Sequence, residues 1–251
     1  MENPKMPSWP RFPRAPITEA LLDIRAKLPP SIDMIRLGTF YEIVKAQYPQ
    51  KRERRSWQGG LEMKLGGPAV VQQSGGPDGY LFISQDGRQI VQARLDGFTV
   101  NRLRPYDRWA SLRDEAKSQW KHYLQVATPE LVTRVALRYL NRLELPQPIR
   151  DFKEYILTVP EIAPDLPQGL ATFFMQLVVP SARLNCTAMI NETMEAPTEK
   201  VLPFILDIDV FREAAFEPNG DDLWQAFEEL REYKNDIFFK SITRKTEELF
   251  A

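Results

Sequence analysis

From Ala15 the chain reads APITEALLDIRA, in which Thr18, Ala20, Leu22, Ile24 and Ala26 share one parity while Glu19, Asp23 and Arg25 share the other. Successive side chains of a strand point to opposite faces, so this period of two predicts a β-strand with one apolar and one charged face. After Pro29-Pro30, Ile35, Phe40, Ile43, Val44 and Tyr48 recur near helical spacing from Met34 to Tyr48 until Pro49. A helix packed on the sheet is expected there. Gly-Gly pairs at 59–60, 66–67 and 75–76 alternate with short apolar runs and predict strands joined by hairpin loops. Asp86-Gly87 is a tight-turn signal between Tyr80–Ser84 and Gln89–Leu95, and a further extended segment runs to Leu103, which makes a meander. Beyond Pro105, Trp109, Leu112, Ala116, Trp120, Tyr123 and Leu124 mark a long amphipathic helix.

The order then begins again. LVTRVALRYLNRLEL, Leu131–Leu145, places Val135, Leu137, Tyr139 and Leu143 on one strand face and Arg134, Arg138 and Arg142 on the other. A short helix around Asp151–Leu157 is followed by extended runs at Thr172–Val179, Leu184–Asn191 and Val201–Phe211. Asp221 to about Leu249 reads as one helix with Asp221 as its N-cap and a stripe of Leu223, Phe227, Leu230, Ile237 and Ser241. Each half is thus strand, helix, three or four antiparallel strands, long helix. The expected fold is α+β, a tandem resembling TATA-box-binding-protein-like or helix-grip saddles. Residues 1–14 form an extended arm, 15–128 the first half, and 129–251 a second half that shares a sheet or core with it. In such a tandem the first strands of the halves meet, helices cover one face, and the other face is left open.

Composition narrows the function classes. With 33 basic and 34 acidic residues the net charge is −1, so no global field draws the molecule to nucleic acid or anionic lipid. Cys186 is the sole cysteine and has no partner for an internal disulfide, which suits a reducing, cytoplasmic setting. Met1–Arg14 lacks the apolar core of a secretion signal, and no segment approaches a membrane-spanning run of about 18 apolar residues. His122 is the sole histidine and lies on the charged side of its helix. A Cys–His dyad would have to join it to Cys186, and neither residue sits in a nucleophile motif. The ligand inventory excludes structural zinc. The glycine pairs match no phosphate-binding fingerprint, so no cofactor is expected.

Two surfaces remain. Asp207 and Asp209 on one strand face have two readings, a Mg²⁺ site for phosphoryl chemistry or neutralisers of arginines on neighbouring strands, and the second is preferred. Arg134, Arg138 and Arg142 form a row that needs acceptors, with Glu19 and Asp23 expected across from it and Arg102 and Arg104 either at a rim of the same surface or merely at the start of a solvated helix. Guanidinium groups so held also suit carboxylate or phosphate groups of a partner. The C-terminal helix carries more apolar side chains than one core contact needs, in Phe238, Phe239, Ile242, Leu249 and Phe250. As one rod it would reach roughly 45 Å and offer a homodimer interface; the alternative is a kink near Ser241 that folds its end back.

The ordered segments APITEALLDIR, NRLRPYDRW, RVALRYLNRLELP, LDIDVF and KNDIFFKSIT resemble an uncharacterised bacterial protein family of sporadic distribution. The resemblance spans nearly the whole chain and implies no activity. It implies a bacterial cytoplasmic protein with an accessory role such as phage defence or toxin neutralisation. It also draws attention to the polar positions within those segments, among them Tyr106, Asn141, Lys234, Asn235 and Thr243. The sequence reading is therefore a noncatalytic interaction protein that binds a protein partner through the open sheet face or the C-terminal helix. The alternatives are nucleic-acid or nucleotide binding through the arginine row, and a Mg²⁺-dependent phosphoryl-transfer enzyme using Asp207 and Asp209.

Overall fold

A computed structural model of the chain describes residues 9–55, 58–62, 70–74 and 76–251. The alternating segments form β1 (Ile17–Lys27) and β8 (Leu131–Pro146). Between them come β2 (Gln50–Arg55), β5 (Pro77–Ile83), β6 (Gln89–Arg94) and β7 (Gly97–Leu103), and after them β9 (Phe174–Ser181), β10 (Cys186–Met194) and β11 (Val201–Phe216). All nine pair antiparallel in one open sheet, ordered β2-β5-β6-β7-β1-β8-β11-β10-β9. β3 (Gln58–Glu62) and β4 (Val70–Ser74) make a separate two-stranded sheet. The glycines at 66, 67 and 75 lie outside the described residues.

β1 and β8 occupy the centre side by side, with Leu22 opposite Leu137 and Ile24 opposite Val135. Their apolar faces, extended by Phe98 and Val100 of β7 and by Phe204, Leu206, Ile208 and Val210 of β11, are fully buried. This face is covered by α3 (Trp109–Ala127) and α4 (Asp221–Ser241). Trp120 of α3 packs edge-on to Phe98 at 5.6 Å and donates its indole N–H to the Pro218 carbonyl at 2.9 Å. Among the described residues no helix is long and apolar enough to cross a membrane.

The tight turns have the residues their geometry demands. Gly87, in the Asp86-Gly87 turn, has φ +73°. Gly97 enters β7 at φ +148°, and a Cβ there would lie 2.1 Å from the Ile24 carbonyl oxygen. Only a residue without a side chain fits so close to β1.

Three expectations need correction. The helix expected over Met34–Tyr48 is two short ones, α1 (Met34–Gly38) and α2 (Phe40–Val44), joined at Thr39. The break turns Leu37, Phe40, Val44 and Tyr48 inward, while Ile35 and Ile43 stay exposed. The segment expected as a short helix over Asp151–Leu157 has only a single 3-10 turn, Phe152–Glu154. The C-terminal helix does not run as one rod to Leu249 but stops at Ser241, where the alternative reading places a kink, and its N-cap is Gly220 rather than Asp221. Ile242 is extended and bridges to Ile156, the Leu157 N–H donates to the Ser241 carbonyl at 2.8 Å, and Thr243 caps α5 (Arg244–Glu247). No long rod projects for a second subunit. Phe238, Ile242 and Phe250 are buried within this chain. Trp9 stacks on Phe239 at 4.9 Å and Phe12 meets Phe250 at 5.4 Å, so the segment before β1 covers the apolar surplus of the C-terminus.

Candidate functional site: an ionic sheet face and a cavity beneath the helices

The sheet face away from α3 and α4 is polar near its centre. Three chains of hydrogen bonds and ion pairs cross it. In the first, Arg54 donates to Gln92 at 3.0 Å, Gln92 to Asn101 at 2.9 Å, and Asn101 to Glu19 at 2.6 Å. In the second, Arg94 is almost wholly buried and holds Asp23 at 2.8 Å and Thr99 at 2.7 Å; Arg134 lies 3.5 Å from Asp23 and 3.3 Å from Asp209, with its guanidinium 4.3 Å from the Phe211 ring centroid. In the third, Arg138 donates twice to Asp207, Asn191 donates to Asp207 at 3.0 Å, and Gln176 donates to Asn191 at 2.8 Å. A concavity of about 400 Å³ lies over the second chain.

Electrostatics follow from that crowding. Burial works to raise the Asp23 carboxyl, but Arg94, Thr99 and Arg25 outweigh it and hold it below the usual carboxylate range. Asp209 is raised because burial outweighs Arg134 and Arg138. Bonding to Asp207 raises Arg138 further. Arg142 is engaged by Glu195 at 3.1 Å and Glu144 at 2.6 Å.

The structure therefore brings Glu19, Asp23, Arg134, Arg138, Arg142, Asp207 and Asp209 to one face. It separates two residues from them. Arg102 points to the helix side of β7, where it pairs with Glu115 of α3, because its neighbour Asn101 takes the open-face parity. It is no rim of the ionic face. Arg104 lies just beyond β7 and is exposed. Cys186 is buried, and burial raises its thiol. His122 is half-buried, with Nδ1 unpartnered among the described residues.

The two edges of the sheet differ in kind. β2 carries Lys51, Arg52, Glu53, Arg54 and Arg55, a charged strand of the sort that discourages pairing with another chain. At the other edge β9 reads FMQLVVPS, with Phe174 69% exposed, Val178 57% and Val179 40%. Phe174 and Val178 share the parity of Gln176, so they flank the third polar chain on the open face.

A second site was not anticipated as a site. A cavity of about 390 Å³ lies between α3, α4 and the start of β1. Its lining includes Tyr106, Asn141, Lys234 and Asn235, which come from three segments far apart in sequence. Lys234 is buried, with Nζ 3.8 Å from the Tyr139 ring centroid, and it makes no hydrogen bond or ion pair among the described residues. The Tyr106 and Tyr139 hydroxyls share a 2.8 Å hydrogen bond. Burial pushes Tyr106 up to about 12 and Tyr139 well above its usual value, so both phenols are neutral. Burial, helped by Arg231, pushes Lys234 down to about 7. The signal in the sequence was the polar positions within the resemblance segments, not their charge pattern.

No protein-family model matches the chain, and no curated protein matches it. The functional reading therefore stands on these geometries.

Proposed function

We propose that this is a noncatalytic interaction protein that takes an extended segment of a partner polypeptide against β9. The observation that carries the reading is the asymmetry of the edges: one is covered in charge, while the other exposes Phe174, Val178 and Val179 on a strand edge that no other strand pairs among the described residues. An edge strand offers a partner main-chain hydrogen bonds, and its exposed apolar side chains offer pockets for alternate residues. Arg138, half-exposed yet fixed by Asp207, supplies a rigid guanidinium three strands inward for a carboxylate on the same partner. The central pairing of β1 with β8 supports a tandem saddle, of which this is one flank.

The arginine row favours phosphate less than the sequence suggested. Arg134, Arg138 and Arg142 are each held by carboxylates of the chain. Asp207 and Asp209 are likewise directed at arginines rather than converging on a shared centre, which gives the Mg²⁺ reading little support. An accessory role in bacterial defence or toxin neutralisation rests on the family resemblance alone.

The experiment is comparative copurification of tagged wild type, Val178→Lys and, at the opposite edge, Arg52→Leu. The reading expects a polypeptide retained by wild type and Arg52→Leu and lost with Val178→Lys. Retention by all three would contradict it.

A further inference from the structure

We propose that the cavity between α3, α4 and the start of β1 binds a small organic monoanion, a carboxylate carried on a flat apolar body. The site is independent of the sheet face, which lies on the other side of the sheet. Five basic side chains line it against two carboxylates. Those acids are not available to Lys234. Glu228 accepts the Trp109 indole N–H at 2.9 Å and pairs with Arg113 at 3.0 Å, and Asp107 accepts from Ser111 at 2.8 Å. Nearby Glu232 pairs with Arg231 at 2.6 Å and accepts from Trp9 at 3.2 Å. Among the described residues Arg11 and Lys234 are left without a counter-ion, and of the two only Lys234 is buried, Arg11 being exposed to solvent.

A buried ammonium with no acceptor is costly, and among the described residues the face of the Tyr139 ring, 3.8 Å from Nζ, offsets only part of that cost. A single negative charge placed beside Lys234 offsets the rest, which selects a monoanion over a multiply charged phosphate. The rest of the wall selects the body. Phe12, Phe238, Phe239, Trp9 and Trp109 present aromatic surface around it. The volume lies in the range of small-molecule pockets, where apolar walls and a few placed polar groups fix orientation. Tyr106 supplies a hydroxyl on the same wall, whereas the Asn141 amide N–H₂ already donates to the Tyr139 and Leu206 carbonyls.

The test is calorimetric titration of the whole protein near pH 7 with 3-phenylpropanoate and with its neutral amide, in two buffers of different ionisation enthalpy. The expected result is saturable binding of the acid, at least about tenfold tighter than the amide. Proton uptake should accompany it as Lys234 is charged by its new counter-ion. Lys234→Met should bring the acid down to the level of the amide. Ala110→Trp, which fills the cavity from the first turn of α3 and leaves Lys234 in place, should abolish binding of both; it carries the test alone if Lys234→Met does not fold. Equal binding of acid and amide, no saturable binding of the acid, or undiminished binding by Ala110→Trp would overturn the proposal.

Discussion

Arg138 grips Asp207 through two hydrogen bonds, 2.8 Å from Nε and 2.7 Å from Nη2, across the seam between β8 and β11. Asp207 is then bonded to Asn191 and Asn191 to Gln176, so one continuous polar chain runs from the centre of the sheet to its apolar edge. Such a chain orders side chains that would otherwise move independently.

A double-mutant cycle of Arg138→Leu and Asp207→Asn, read by urea unfolding, should give a coupling of about 1–2 kcal/mol. Bidentate geometry and the buried carboxylate favour the pair, and the partial exposure of Arg138 limits it. Arg142→Leu with Glu144→Gln, a pair nearer solvent, should couple by less than about 0.5 kcal/mol.

Stability should pass through a minimum near neutral pH. Glu192 is 1% exposed and both its oxygens are unpartnered, and burial raises it from 4.5 to about 7. The folded state holds this proton where the unfolded chain has released it, so stability falls as pH rises from about 4.5 to about 7. Lys234 works in the opposite sense. Its folded value of about 7 lies below the ordinary 10.5, so the unfolded chain binds a proton the folded one lacks, and stability rises across that window. Glu192→Gln should remove the falling limb and stabilise the protein at pH 8 by on the order of 1–3 kcal/mol. Lys234→Met should flatten the rising limb. Thermal melts from pH 5 to pH 10 check both.

Trp120→Ala should cost about 3–5 kcal/mol, since it removes a buried indole from between Phe98 and Tyr123 and strands the Pro218 carbonyl. Trp120→Phe keeps most of the packing and should cost about 1–3 kcal/mol. Denaturant midpoints with unchanged slopes distinguish these from altered unfolding cooperativity.

Much of the architecture was legible because it is periodic. Leu22 and Leu137 declare their faces by alternation, and Leu112 and Trp120 by helical spacing. The arginine row, and its need for acceptors, follows from the same parity. What was not legible depends on contacts distant in sequence. The sequence left a continuous C-terminal rod and a break near Ser241 both open, and the pairing of Ile242 with Ile156, distant in sequence, decides for the break. Arg102 sits amid exposed-looking arginines, yet its parity sends it to Glu115. Lys234 falls in step with the apolar stripe of Leu230 and Ile237, but that it meets the Tyr139 ring, from another part of the chain, is visible only in the fold.

The most direct test of the proposed function is amide hydrogen exchange on the protein with and without its copurified polypeptide. The account predicts that amides of Phe174–Ser181 gain protection while those of Gln50–Arg55 do not change. Protection confined to segments away from β9 would contradict it.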